Sequence, residues 1–73
     1  MIEFMNLFNE YKDKFQSLEL AIRWDKYCDW TALLVHSDSN TVISDIQMSD
    51  MNRLYAQLYL DFTEWLNEVN DGY

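Results

Sequence analysis

The apolar residues change their spacing twice along the chain, from helical to alternating and back again, and this double switch restricts the fold most tightly. Phe4, Phe8, Tyr11, Phe15 and Leu18 succeed one another at steps of four and three, the mark of one face of an amphipathic helix. The spacing predicts a helix over about residues 2–17, with Glu3, Glu10, Asp13 and Lys14 on its other side. From Leu18 the period becomes two: Leu18, Leu20, Ile22 and Trp24 alternate with Glu19, Ala21 and Arg23. Residues 18–22 satisfy both periods, so this boundary is the least sharply defined. Residues 25–29 read as a turn. Residues 30–36 form a second strand with Trp30, Ala32 and Leu34 on one face and Leu33 and Val35 on the other. A strand apolar on both faces belongs in the middle of a sheet. Ser37-Asp38-Ser39-Asn40 is turn chemistry, and residues 41–46 are β-branched and alternating.

Helical spacing then returns. Ser49 or Asp50 caps a long helix whose inner face collects Met51, Leu54, Tyr55, Leu58, Phe62, Trp65, Leu66 and Val69. The expected fold is α+β: helix, three-stranded antiparallel meander, helix (αβββα), in two layers. With both helices on one sheet face, the opposite face is left open, although the central strand is apolar there too. A second copy or another protein is the natural cover for such a face.

At 73 residues, with no proline and Gly72 as the single glycine, the chain reads as one domain without linker or repeat. That is near the lower limit for an independent core. Cys28 is the lone cysteine, so neither a disulfide nor a zinc cluster supports it. Four Phe, five Tyr and three Trp are more than so small a core easily hides. Trp24, Tyr27, Trp30 and Tyr59 are expected to be partly exposed, where Tyr and Trp commonly anchor interfaces.

The net charge is −8 and unevenly spread: residues 1–37 hold six acids and four bases, residues 38–73 seven acids and only Arg53. Such a field disfavours direct contact with nucleic acid or an anionic membrane and favours basic protein surfaces. The N-terminus lacks the pattern of a signal peptide, and no apolar run has the length of a membrane span. The expected location is cytoplasmic, where a lone thiol stays reduced.

Candidate chemistry is sparse. His36 has no second histidine or placed carboxylate to complete a triad and reads as a structural histidine. Cys28 reads as a small apolar filler, although Lys26 nearby would favour its thiolate. Asp38-Ser39-Asn40 begins like a calcium loop, but Val42, Ile43 and Ser49 stand where the motif needs an oxygen ligand, glycine and glutamate. Asp25 and Asp29 in one turn are weak evidence for a metal. The expectation is a binding protein, not an enzyme, with no cofactor.

The segment after Arg53 points to the binding. Its twenty residues carry Asp61, Glu64, Glu68 and Asp71 and no basic side chain. Their helical spacing makes a stripe flanking the apolar face. Like charges at such spacing repel, and carboxylates in the second half of a helix oppose its dipole. The stripe therefore indicates a role other than stability. Asp61, Glu64, Glu68 and Asp71 are the candidate contacts to a basic partner. Tyr59, at the rim of the apolar face, and Leu60, on the solvent side, are candidate apolar contacts.

Residues Thr41-Val42-Ile43-Ser44-Asp45, with the acid-capped helix after them ending Glu64-Trp65-Leu66-Asn67-Glu68, give about half the chain a resemblance to small acidic inhibitors encoded by bacteriophages and mobile elements. That group includes anti-CRISPR proteins that block Cas nucleases and inhibitors of uracil-DNA glycosylase. The resemblance implies a DNA mimic whose carboxylates occupy a basic groove on a nucleic-acid-processing enzyme. The four bases of the first half depart from a uniformly acidic mimic. The alternative is an adaptor or toxin-neutralising module that forms a homodimer through the open sheet face.

Overall fold

The computed structural model describes the backbone of residues 2–71 and the side chains of residues 3–69. The element order is α1 (Ile2–Tyr11), β1 (Leu18–Asp25), β2 (Asp29–His36), β3 (Thr41–Met48) and α2 (Met51–Asp71), which is the expected αβββα arrangement. The sheet is an antiparallel meander with β2 in the centre.

Helix α1 is shorter than its apolar spacing predicts. It stops at Tyr11, and the Lys12 and Lys14 amides close turns onto the Phe8 and Tyr11 carbonyls. Lys12-Asp13-Lys14 offers no apolar side chain to hold another helical turn against the core. Phe15 nevertheless reaches the core from the turn, its ring 5.0 Å from that of Trp65. The periodicity thus marks the buried residues correctly while overstating the helix.

Asp50 settles the start of α2. Its carboxylate accepts the Asn52 amide at 2.9 Å and its carbonyl accepts the Leu54 amide at 3.0 Å, so it is the N-cap. The two hairpin turns place Asp29 (φ 57°) and Asn40 (φ 55°) in the left-handed region, which short polar side chains tolerate. Asp25 steadies the first turn by accepting the Tyr27 amide at 2.7 Å.

The core lies on one face of the sheet. Phe4, Ala32, Leu34, Leu54, Leu58, Phe62, Trp65 and Leu66 are buried in one cluster. Phe62 joins the two helices, with the rings of Phe4, Phe8, Tyr11 and Trp65 at 6.0–6.4 Å from its own. Full burial of each such aromatic contributes about 1.5–3 kcal/mol. His36 packs its ring against Trp65 (5.3 Å) and Phe15, with Nδ1 hydrogen-bonded to the Ser39 hydroxyl.

A β-bulge decides which residues of β3 face this core. Leu34 pairs with Ser44, but the next residue, Val35, pairs with Val42, so Ile43 is the extra residue. The bulge puts Val42 beside Val35 on the open face while Ile43 still packs against the core. The open face is as expected: Leu33 and Val42 lie there largely exposed, next to Ala21 and Val35. One single-residue expectation changes: Cys28 is exposed in its turn instead of filling a gap. Trp30 is partly exposed, with the rest of its side chain packed against the core. Trp24, Tyr27 and Tyr59 are exposed, as are Leu60 and the strand end around Trp24 that lies past the core.

Candidate functional site

Helix α2 runs antiparallel along β3. The start of β3 lies beside the later turns of α2, and Met48 at its end lies beside Arg53 and Gln57. At the midpoint one polar contact fastens the two. Ser44, the buried polar residue of the sheet at 3% exposure, donates its hydroxyl to Asp61 Oδ2 at 2.7 Å. Gln57, one turn earlier on α2, donates its amide to Asp61 Oδ1 at 2.8 Å. Asp61 is half-buried, and both of its oxygens are engaged within the chain.

One and two turns further along, Glu64 and Glu68 are exposed. Together with Asp61 they form one wall of a shallow concavity of about 180 Å³, whose other wall is Thr41–Ile43 of β3. The three carboxylates therefore share a flank, as their spacing requires. Among the described residues, neither Glu64 nor Glu68 has a hydrogen-bonding or ion-pairing partner in the chain. Asp71 continues the helix, but its side chain lies outside the described residues. The first turn of α2 holds no acid and the last turn no base, the reverse of what its dipole favours.

Tyr59 and Leu60 are placed differently. Tyr59 (39% exposed) lines a concavity of about 440 Å³ against Glu3 and Phe4 of α1, on the flank of α2 away from the carboxylates. Leu60 (59% exposed) stands on the outer ridge between that concavity and another of about 450 Å³ bounded by Met48, Arg53 and Gln57. A partner touching both Tyr59 and Glu64 has to straddle the helix. A partner approaching from the β3 side can reach Leu60 and the carboxylates without straddling it.

Ser44 and Gln57 are not singled out by sequence reasoning. Gln57 and Asp61 are four apart, a spacing known for such helical hydrogen bonds, so half of the contact has a sequence signal. Ser44 shares the inward face with Ile46 and Met48 by simple alternation, but nothing in the sequence links its hydroxyl to a carboxylate 17 residues away.

Among the described residues, no three His, Cys, Asp or Glu side chains come close enough to hold a metal ion, and no helix is long and apolar enough to cross a membrane. No protein-family model, curated protein or solved structure matches the chain.

Proposed function

We propose that this protein is a small acidic inhibitor that binds a basic surface of a nucleic-acid-processing enzyme, such as a Cas nuclease, and blocks its access to nucleic acid. The observation that carries this reading is the pair Glu64 and Glu68: exposed, aligned on one flank, and matched by no base among the described residues. Four residues on a helix span ~6 Å, of the order of the separation between successive phosphates on a strand. Asp61 adds its charge to the same flank but serves mainly as a brace to β3. Leu60 supplies apolar contact beside the stripe, and Tyr59 extends it only for a partner that wraps the helix.

Charge steers and orients such an encounter more than it sets affinity, so binding falls as salt rises. The test is Glu64→Lys/Glu68→Lys. Both side chains are unpartnered among the described residues, and cations suit the last turns of a helix, so the variant is expected to be at least as stable as the parent. A host lysate passed over both proteins is expected to yield a nucleic-acid-binding enzyme retained by the parent alone. Purified, that enzyme loses DNA binding when the parent is added. Equal retention by the double variant overturns the proposal.

A second reading draws on the open sheet face, where Leu33 is 42% and Val42 60% exposed. An adaptor or toxin-neutralising homodimer built there is disrupted by Leu33→Lys and indifferent to the helix charges. Sedimentation of the parent and of the Leu33→Lys variant separates the two readings.

A further inference from the structure

Strand β3 is an edge of the sheet, and its outer side has no strand partner among the described residues. The two edges are defended unequally. β1 carries Glu19, Arg23 and Asp25, whereas β3 carries one charge, Asp45, and neither lysine nor proline. Charges, proline and bulges are the usual devices that keep another strand away. The bulge at Ile43 protects only the beginning of β3; from Ser44 to Met48 the pairing with β2 is regular.

This weakly defended edge borders the acidic flank. The concavity between Thr41–Ile43 and Glu64/Glu68 lies at one end of the edge, and the concavity bounded by both Arg53 and Asp50 lies at the other. A strand laid along β3 therefore meets uncompensated negative charge at one end only, which fixes where its basic residues fall. Alternate residues of a strand recur every ~6.6–6.8 Å, close to the ~6 Å between residues four apart on a helix. Two basic side chains two positions apart on the added strand would match Glu64 and Glu68. The residue between them turns to the opposite face, beside exposed Val42, and later ones fall beside Asp45 and Gln47.

We infer that the partner enters as an extended segment with basic and apolar residues in alternation, adding to β3 as a fourth strand. This rests on the acidic-contact reading above and names the form its partner takes. Main-chain pairing supplies affinity, and the alternation supplies specificity. The basic residues lie over Glu64 and Glu68, and the apolar ones extend the open face.

The probe is a synthetic peptide of alternating lysine and valine as long as β3, 8 residues. It is compared with a block isomer, lysines first and valines after, and with two isomers N-methylated on the lysine or on the valine amides. Affinity is read by calorimetry at low salt and amide exchange by NMR. The alternating peptide is expected to bind and to slow exchange at Ser44–Met48. One N-methyl isomer should match it and the other bind at least about tenfold more weakly, as loss of one or two hydrogen bonds entails. If the block isomer and both N-methyl isomers bind equally well, and all are lost in Glu64→Lys/Glu68→Lys, strand addition is overturned while the acidic contact survives. If no peptide binds, both ideas fall.

Discussion

Asp61→Ala probes the contact on which the geometry of the flank depends. The substitution leaves the Ser44 hydroxyl, at 3% exposure, without its acceptor in the core. An orphaned buried hydroxyl costs about 1–3 kcal/mol. The Gln57 amide is only part-buried and can turn to water, so it adds little. Removing one carboxylate from the stripe relieves repulsion toward Glu64, returning roughly 0.2–0.5 kcal/mol. The net expectation is a loss of about 2 kcal/mol. A chain of 73 residues has roughly 4–11 kcal/mol to lose, and the corresponding fall in Tm is about 8–16 °C. Urea denaturation monitored by tryptophan fluorescence measures it, since Trp65 is buried beside this contact. The decisive comparison is Ser44→Ala/Asp61→Ala, which removes donor and acceptor together. It should cost at least about 1 kcal/mol less than the two single changes added, because no orphaned hydroxyl remains. Additive single effects, or an Asp61→Ala loss below about 0.5 kcal/mol, would refute the brace.

The same packing sets three further outcomes. Phe62→Ala empties the contact among five aromatic rings and is expected to cost about 3–5 kcal/mol, seen as a large fall in Tm by circular dichroism. Thr63→Val replaces a buried hydroxyl that has no partner with a methyl group of the same shape, and should raise stability by about 1 kcal/mol in a urea titration. A backbone hydrogen bond holds the Glu3 carboxyl below its ordinary range. Its stabilising contribution is present above the unfolded-state value and is lost as pH falls through the lower folded one. Glu3→Gln should therefore flatten the acid limb of a plot of Tm against pH.

The elements themselves are legible because each is marked by a period. The apolar steps in α1 and α2 and the alternation in β1 hold wherever one face of a segment meets the core. What stays hidden is local geometry that period cannot express. Phe15 keeps helical spacing with Tyr11 yet sits in a turn, because a ring 6.4 Å from Tyr11 can be delivered by a turn as well as by a helix. Trp24 and Trp30 are opposite each other across β1 and β2, and only the extent of the core shows that Trp30 is partly covered and Trp24 largely exposed. The stripe is legible as a stripe, since helical spacing alone puts Asp61, Glu64 and Glu68 on one side. Its division into a brace and two unpartnered charges depends on Ser44, which faces inward in step with Ile46 and Met48 and places a hydroxyl against α2 that no spacing announces.

The choice of partners for Asp61 bears on how the flank works. A carboxylate braced by lysine would have its lone pairs satisfied and its charge cancelled together. Ser44 and Gln57 are neutral donors, so they satisfy the oxygens and orient the group while its negative charge remains. The brace thus fixes α2 against β3 without weakening the field that Glu64 and Glu68 project over the edge of the strand. Gln57→Lys separates the two properties: the lysine can still reach Asp61 at the same four-residue spacing, keeping the helix in place while neutralising one charge of the flank. The variant is expected to keep its Tm within about 4 °C, equivalent to roughly 0.5 kcal/mol. Its affinity for a basic partner should fall below the parent's at low salt, with the gap closing as salt is raised. Unchanged affinity at both salt concentrations would mean that the field of the flank, and with it the retained charge of Asp61, plays no part in recognition.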